Sequence, residues 1–261
     1  MKKLLYLFLT VLIVACSSDD GNNSNDGDNN NLFNCDGNPI QSIVYGTQEW
    51  TIENACNITY RDGTPIPEVT DTTDWNNLTT GAWCYYNNDP RKARLYNWYA
   101  VMGIHDVDPN TPNKEFTPEG WHVPSDDEWT TLEEYLISNG YNYDGSSYNC
   151  SPCSEEQNKI AKSMASNTGW ALLDWPEPNP AAIGYYQSTN NSSGFSALPD
   201  GYRSTYASSF SGLFFDAGFW SSTENNTNNN AWMSSLGYSN PALLRLNKDT
   251  RFGFSVRFVR D

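Results

Sequence analysis

The stretch GWHVPSDDEWTTLEEYLISNG, residues 120–140, is the part of the sequence that decides the fold. Ser125 and Glu128 have the spacing of a capping box, in which each side chain accepts a hydrogen bond from the backbone N–H of the other residue. Gly140 stands where a left-handed residue commonly ends a helix. The apolar stripe that follows the capping box at helical spacing consists of Trp129, Leu132, Tyr135 and Leu136. The stretch therefore predicts a helix over residues 125–139.

Periodic patterns on either side of this helix predict the other elements. Apolar side chains at i, i+3, i+4 and i+7 from Leu95 predict a helix over 91–102, and residues 155–165 predict a third. Alternating apolar residues over 252–259 predict a half-buried final strand, and a further strand is expected over 42–52. Loops rich in Asn, Gly, Ser and Pro separate the elements. The pattern favours an α+β fold with two or three helices, a small mixed or antiparallel sheet and long ordered loops.

Composition and charge exclude one class of partner. The 261 residues include 31 acidic and 15 basic side chains, and the formal net charge is -16. Such a surface repels a phosphate backbone, and no local cluster of Lys and Arg offsets it, so nucleic-acid binding is not expected. The 10 Trp, 16 Tyr and 11 Phe can bury a large core.

The N-terminus predicts the location of the protein. Lys2 and Lys3 precede an apolar run, residues 4–14, that is too short to span a bilayer and is typical of a signal peptide. The run ends in Ala15-Cys16, which resembles a bacterial lipobox, so residues 1–15 are expected to be removed and Cys16 to be acylated. Two or three acyl chains would anchor the protein in a membrane. A signal peptide with an incidental cysteine is the alternative.

Residues 16–33 are predicted to be a polar tether, and residues 34–261 to be the folded domain. Asp19 and Asp20 follow the lipidated cysteine closely. These acidic residues resemble the export signal that sends lipoproteins of the Bacteroidota type to the outer face of the outer membrane. The solvation of a linker is an equally good explanation of them. We expect an outer-membrane lipoprotein that faces the extracellular side.

Five cysteines remain after lipidation, namely Cys35, Cys56, Cys84, Cys150 and Cys153, and an oxidising exterior favours their pairing. Sequence alone leaves several pairings open, and one cysteine must remain spare. We expect Cys56 to pair with Cys84, because both lie beside predicted core strands. Cys150-Ser151-Pro152-Cys153 has the CxxC spacing of redox and zinc sites, but no second CxxC and no neighbouring histidine accompany it. A local structural disulfide is therefore expected there.

Seven blocks of the sequence carry a family resemblance. They are QEW at 48–50, TYRDGTPIP at 59–67, LYNWYAV at 95–101, GWHVPSDDEW at 120–129, SGFSALPDGYR at 193–203, FWSSTE at 219–224 and GFSVRFVRD at 253–261. Together they resemble the FISUMP family, the Fibrobacter succinogenes major paralogous domain. The resemblance covers roughly residues 41–261 in the expected order. It implies an extracellular or surface lipoprotein domain without an established activity.

The block at 120–129 is also similar to a segment of formylglycine-generating enzymes. That resemblance implies a sulfatase-modifying-factor-like variant of the C-type lectin fold. It does not imply the enzymatic activity, because those enzymes bind copper through a cysteine pair late in the chain and this sequence has no cysteine after Cys153.

Other catalytic chemistry finds little support in the sequence. His105 and His122 are the only histidines, and His122 is expected to be a hydrogen-bonded structural residue. The chain contains no nucleophile elbow, P-loop, dinucleotide fingerprint or His-Glu-x-x-His motif. Asp126, Asp127 and Glu128 belong at a helix N-terminus, where negative charge is favourable. We therefore expect no enzyme, and keep a carboxylate-dependent hydrolase as an alternative.

Two loops carry weak signals for calcium, and no other cofactor is expected. Asp106, Asp108 and Asn110 offer oxygens at alternate positions, but the glycine and distal glutamate of an EF-hand are absent. An acidic surface loop is the favoured interpretation. Glu177-Pro178-Asn179 matches a triplet with which mannose-type C-type lectins hold calcium and sugar, but the Trp-Asn-Asp partner of that triplet is absent.

If the domain binds a ligand, binding is predicted in the loop over residues 170–186, because aromatic faces suit sugar rings. For each aromatic residue taken alone, packing in the core or the loop is the favoured interpretation. The candidate ligand-binding residues are Trp170, Trp175, Glu177, Asn179, Tyr185 and Tyr186. The favoured function is a surface-anchored binding module that recognises a glycan or a protein. A structural or assembly component of the cell envelope and a hydrolase are the alternatives.

Overall fold

The structure is a computed structural model, and it describes residues 39–173, 179–206, 210–225, 227 and 229–261. All of these residues lie in one compact unit, Asn31–Asp261. The helices are α1 (Thr72–Asn76), α2 (Trp98–Val101), α3 (Asp126–Ser138) and α4 (Ala161–Met164). The strands are β1 (Ser42–Tyr45), β2 (Gln48–Thr51), β3 (Trp83–Tyr85), β4 (Arg94–Tyr96), β5 (Trp121–His122), β6 (Asp200–Arg203), β7 (Phe210–Leu213), β8 (Asp216–Asn225), β9 (Asn230–Gly237), β10 (Leu244–Asp249) and β11 (Val259–Arg260). The described part of the chain is therefore an α+β fold, as expected.

Helix α3 confirms the prediction made from the capping box. The Glu128 N–H donates to Ser125 Oγ at 3.2 Å, and the Ser125 N–H donates to Glu128 Oε2 at 2.7 Å. Gly140 follows the helix with φ of 79°. One face of α3 is buried through Trp129, Leu132, Leu136 and Ile137.

Two predicted helices are much shorter in the structure. Residues 94–96 form β4 instead of a helix, because they pair with β3 and because the backbone of Tyr96 also exchanges hydrogen bonds with Phe254, far away in the sequence. Asn97 then caps α2 by accepting from the Ala100 N–H at 3.0 Å. In the predicted helix 155–165 only α4 is helical. Asn158 instead pairs its side chain with both backbone groups of Leu243.

The predicted strand over residues 42–52 is a hairpin. Gly46 has φ of 62°, and Tyr45 pairs with Gln48 across the turn. The strand order of this sheet is β1-β2-β11-β5, with antiparallel pairing throughout. Strand β11 lies between β2 and β5, so the two ends of the described chain meet in one sheet.

A five-stranded sheet with the order β10-β9-β8-β6-β7 forms the second layer. Its pairs are antiparallel except β6 with β8, which pair in parallel at Gly201 and Ala217. Strands β3 and β4 form a separate antiparallel pair.

The C-terminal segment is buried on both faces, so the prediction of a half-buried strand over 252–259 was wrong. Residues 252–259 are all buried. Short bridges join Phe254 to Tyr96, Gly253 to Arg203 and Ser255 to Phe219, and regular pairing resumes only in β11. Because the segment contacts β4, β6 and β8, both sets of its alternating side chains are shielded from solvent.

Aromatic rings fill the core, as the composition suggests. The centroids of Trp50 and Trp129 are 4.7 Å apart, and those of Trp129 and Phe219 are 5.6 Å apart. Two arginines, Arg203 and Arg257, are also fully buried. Each stacks on aromatic rings and donates to backbone carbonyls, which compensates for the loss of water.

The structure contains the local disulfide expected between Cys150 and Cys153. It does not contain the expected bond between Cys56 and Cys84, because Cys84 is a buried free thiol. Alternation along β3 explains the difference. Cys84 packs on one face beside Trp75, whereas Arg94 lies across from Tyr85 on the other face and donates to the carbonyl of Cys56.

Among the described residues, no helix is both long enough and apolar enough to cross a membrane.

Candidate functional site

The predicted binding loop divides between core and surface. Trp170 is only 4% exposed, and its indole N–H donates to Ser166 Oγ at 3.1 Å. Its ring therefore packs in the core, which corrects the expectation that Trp170 contacts a ligand. Trp175 and Glu177 lie outside the described residues.

Asn179 forms a turn. Its Oδ1 accepts from the Ala181 N–H at 3.2 Å, and its carbonyl accepts from the Ala182 N–H at 3.0 Å. These contacts direct the chain into the buried residues 181–183.

Tyr185 and Tyr186 form an aromatic pair at the end of this loop. Their ring centroids are 4.3 Å apart, and a hydrogen bond with Tyr186 raises the pKa of Tyr185. Tyr186 is 69% exposed, although its backbone has the left-handed angles φ 48° and ψ 64°. That conformation costs a bulky residue about 1–3 kcal/mol, and an exposed ring recovers little of this cost by burial. Such strain at an exposed aromatic residue indicates a functional role.

A cavity of about 300 Å³, the tyrosine pocket, opens beside this pair. Tyr143 on its opposite side is 41% exposed. The lining residues are Tyr141, Asn142, Tyr143, Lys162, Ser163, Pro180, Tyr185, Tyr186, Thr189 and Ser192. Aromatic rings and polar groups thus share one concave surface, which is the usual composition of a small-ligand site.

Lys162 holds the loop that carries the tyrosine pair. The side chain is buried, and its Nζ donates to the carbonyls of Ala182 (3.2 Å), Tyr185 and Tyr186 (3.5 Å). Burial lowers the pKa of Lys162. Sequence reasoning missed this residue, because nothing in the pattern at Lys162 shows that its ammonium reaches carbonyls some twenty residues later.

The loop with the weak calcium signal uses its oxygens internally. Asp106 Oδ1 accepts from the Asp108 N–H at 3.0 Å, and Asp108 Oδ1 accepts from the backbone and side chain of Asn110, both at 2.9 Å. The loop lines a separate cavity of about 530 Å³. Within the described ranges, no group of three or more His, Cys, Asp or Glu side chains is arranged to hold a metal ion.

Both histidines contact acceptors. His122 Nε2 lies 2.6 Å from Glu128 Oε1, and its Nδ1 lies 2.8 Å from Asp261 Oδ1. Burial opposes the charge of His122, but the two carboxylates together outweigh it and raise its pKa. His105 Nδ1 lies 3.3 Å from the carbonyl of Gly103. His105 also lines the cavity of about 530 Å³, and its Nε2 lies 3.5 Å from Asp106 Oδ2. Both nitrogens of each histidine therefore face an acceptor within the domain.

One carboxylate with a raised pKa lies where no substrate fits. Burial, with help from Glu134, raises the pKa of Glu133 to about 7. Glu133 and Asp126 line a space of only about 10 Å³. This volume is about that of one water probe, so this pair of carboxylates does not form a hydrolytic cleft.

The chain was compared with known proteins. It matches the Fibrobacter succinogenes major domain over residues 43–260. No curated protein and no solved structure matches it.

Proposed function

The chain belongs to the Fibrobacter succinogenes major domain family, and from this premise we propose that it is a non-catalytic binding module that recognises a glycan at the tyrosine pocket. The observation that carries the proposal is Tyr186, an exposed ring on a strained backbone at the edge of a concave site. The Tyr186 carbonyl accepts hydrogen bonds from the backbone and side chain of Thr189, which hold this conformation and leave the ring in solvent, where a ligand can reach it.

The chemistry of the pocket suits a sugar better than a flat protein surface. Tyrosine rings offer apolar faces for the C–H groups of a pyranose, and their hydroxyls offer hydrogen bonds. The hydroxyl of Thr189 donates to the Tyr186 carbonyl and is left to accept from a sugar. A cavity of about 300 Å³ is at the lower end of the range for small-ligand sites, which fits one or two sugar units. The pocket has no cationic rim, since the ammonium of Lys162 is engaged by backbone carbonyls. A neutral glycan is therefore the favoured class.

We also propose that the module is an outer-membrane lipoprotein anchored through Cys16, with the domain facing the extracellular side. The sequence of residues 1–20 supports this assignment. A C-type-lectin-like fold is part of the same proposal. It is supported by the α+β architecture and by the pairing of β11 with β2, which places both ends of the described chain in one sheet.

The experiment uses the protein from Ser17 onwards in pull-downs on insoluble xylan, mannan and chitin. We expect retention on at least one of them, and at least tenfold weaker binding by Tyr186→Asn. Asparagine tolerates the left-handed backbone, so this variant removes the ring without adding strain. Tyr206→Asn is the matched control, because Tyr206 is 72% exposed but does not line the pocket. Equal losses in the two variants, or no retention on any polysaccharide, would contradict the proposal.

An envelope assembly component is the second candidate. The observation that favours it is a cavity of about 700 Å³ elsewhere on the domain, which is lined by basic and apolar side chains.

A further inference from the structure

A cavity of about 700 Å³ lies away from the tyrosine pocket and is lined by different residues, several of them basic. We call it the basic groove. Four basic side chains and two acidic ones line it, although the whole chain carries a net charge of -16. The residues that carry the argument are Asn54, Lys92, Leu198, Asp200, Phe214 and Arg257. Arg91 is paired with Asp89 and Arg257 is buried, so the available positive charge of the groove lies on Lys92 and Arg94 and favours an anionic group beside them.

The floor of the groove is a built polar network. Arg257 is 1% exposed, and its Nε donates to Asn54 Oδ1 at 2.6 Å. The Asn54 amide donates in turn to Asp200 Oδ2 at 2.8 Å. Burial raises the pKa of Asp200, although nearby Arg257 and the hydrogen bond from Asn54 lower it. A buried arginine and a perturbed carboxylate beside a cavity are typical of binding sites.

One wall of the groove presents an available cation. Lys92 Nζ lies 5.4 Å from the centroid of the Phe214 ring. No ion pair of Lys92 occurs among residues 39–173, 179–206, 210–225, 227 and 229–261. Its neighbour Arg91 is neutralised by Asp89, at 2.8–2.9 Å. Lys92 is thus the groove residue most able to pair with a carboxylate of a ligand.

The same wall is also apolar, and its backbone is strained. Phe214 is 48% exposed in a left-handed turn with φ of 71°, a position that usually takes glycine or asparagine. Leu198, on the same groove, is 47% exposed. An aromatic residue at such a turn costs stability and leaves an apolar surface in water, which indicates a contact with a partner.

These observations together fix the class of ligand. We propose that the basic groove binds an extended acidic peptide segment of a partner protein, with a carboxylate beside Lys92 and apolar side chains against Phe214 and Leu198. An acidic polysaccharide supplies carboxylates but no apolar side chains, and so would leave the Phe214 wall uncovered. A neutral apolar peptide would leave the charge of Lys92 unpaired.

The test measures the fluorescence anisotropy of a labelled hexapeptide of alternating glutamate and leucine with the purified full-length protein. We expect binding that weakens with added salt and falls at least tenfold in Lys92→Glu. Phe214→Asn should weaken it by a similar factor, because asparagine keeps the turn and removes only the ring. Lys248→Glu is the matched control. Lys248 also lies over a phenylalanine, with its Nζ 5.9 Å from the centroid of Phe252, but it does not line the groove.

Several results would overturn the proposal. One is equal binding of the peptide in which glutamine replaces glutamate, since charge would then play no part. A second is complete displacement by polygalacturonate, which would make an acidic sugar chain the occupant. Equal weakening by Lys248→Glu and Lys92→Glu would show only a general charge effect. Tyr186→Asn should leave this binding unchanged, so the failure of one site is distinguishable from that of the other.

Discussion

At the scale of single residues, Lys162 is the side chain on which the tyrosine pocket depends. Its ammonium is the shared donor to three carbonyls of the loop that ends in the tyrosine pair. We expect Lys162→Met to leave those carbonyls without a donor and to destabilise the protein by about 1–3 kcal/mol. Glycan binding should fall further than this loss of folded protein explains. Urea unfolding and polysaccharide pull-downs measure the two effects separately.

Lys114→Met provides the comparison for that variant. It removes one ion pair with Asp62, which is about half exposed and screened by solvent, so we expect little loss of stability and unchanged glycan binding. If Lys162→Met bound glycan normally, Lys162 would not position the pocket.

At the scale of elements, the N-terminus of α3 is joined to β5 and to the end of β11 by one titrating cluster. His122 on β5 contacts Glu128 in α3 and Asp261 after β11. The two carboxylates hold the pKa of His122 above its usual value, so this contribution to stability is complete below about pH 6.5 and is lost as the pH rises through the raised pKa. We expect the urea concentration at the midpoint of unfolding to fall as the pH rises above about 6.5.

The variant His122→Gln should lack this component of the pH dependence, and His105→Gln should retain it. Glu128 has the opposite pH dependence. Burial raises its pKa, but hydrogen bonds from Ser125 and His122 outweigh burial and lower it. Its contribution is therefore lost as the pH falls below about 4.5. A profile that is identical in His122→Gln and in the unmodified protein would show that the cluster does not couple the three elements.

At the scale of the whole molecule, the proposed function requires that the domain stay on a membrane. If Cys16 is acylated, Cys16→Ser should move the protein from the membrane fraction to the soluble fraction or leave its signal peptide uncleaved, because the acyl chains supply the anchoring energy of about 0.8 kcal/mol per buried CH₂. Fractionation and palmitate labelling measure this. Labelling that persists in Cys16→Ser would reject the anchor, and protection of the domain from protease on intact cells would place it in the periplasm.

The elements that could be predicted from sequence are those stabilised by contacts within a few residues. Helix α3 and its capping box depend on Ser125, Glu128 and a stripe that repeats every three or four residues. The disulfide of Cys150 with Cys153 closes over two intervening residues. The family blocks were likewise visible in the linear sequence, and the family match over residues 43–260 agrees with them.

The predictions that failed concern residues whose partners are distant. Tyr96 has the spacing of a helix, yet it pairs with Trp83 in β3 and with distant Phe254, and so becomes part of a strand. Cys56 and Cys84 both lie beside predicted core strands, but the pleat of β3 turns Cys84 to the opposite face. Trp170 has the chemistry of a sugar platform and is nevertheless buried. In each case tertiary packing outweighed the local signal.

The sequence by itself determined the α+β class, the central helix, the family and the expectation of an anchored module. Only the tertiary structure decided which side chains meet to form the two proposed binding sites. Lys162 meets the carbonyls of residues 182–186, and Arg257 meets Asp200 through Asn54. The physical reason is that helices and caps follow from neighbours along the chain, whereas a cavity is made by side chains that approach one another only after the chain has packed.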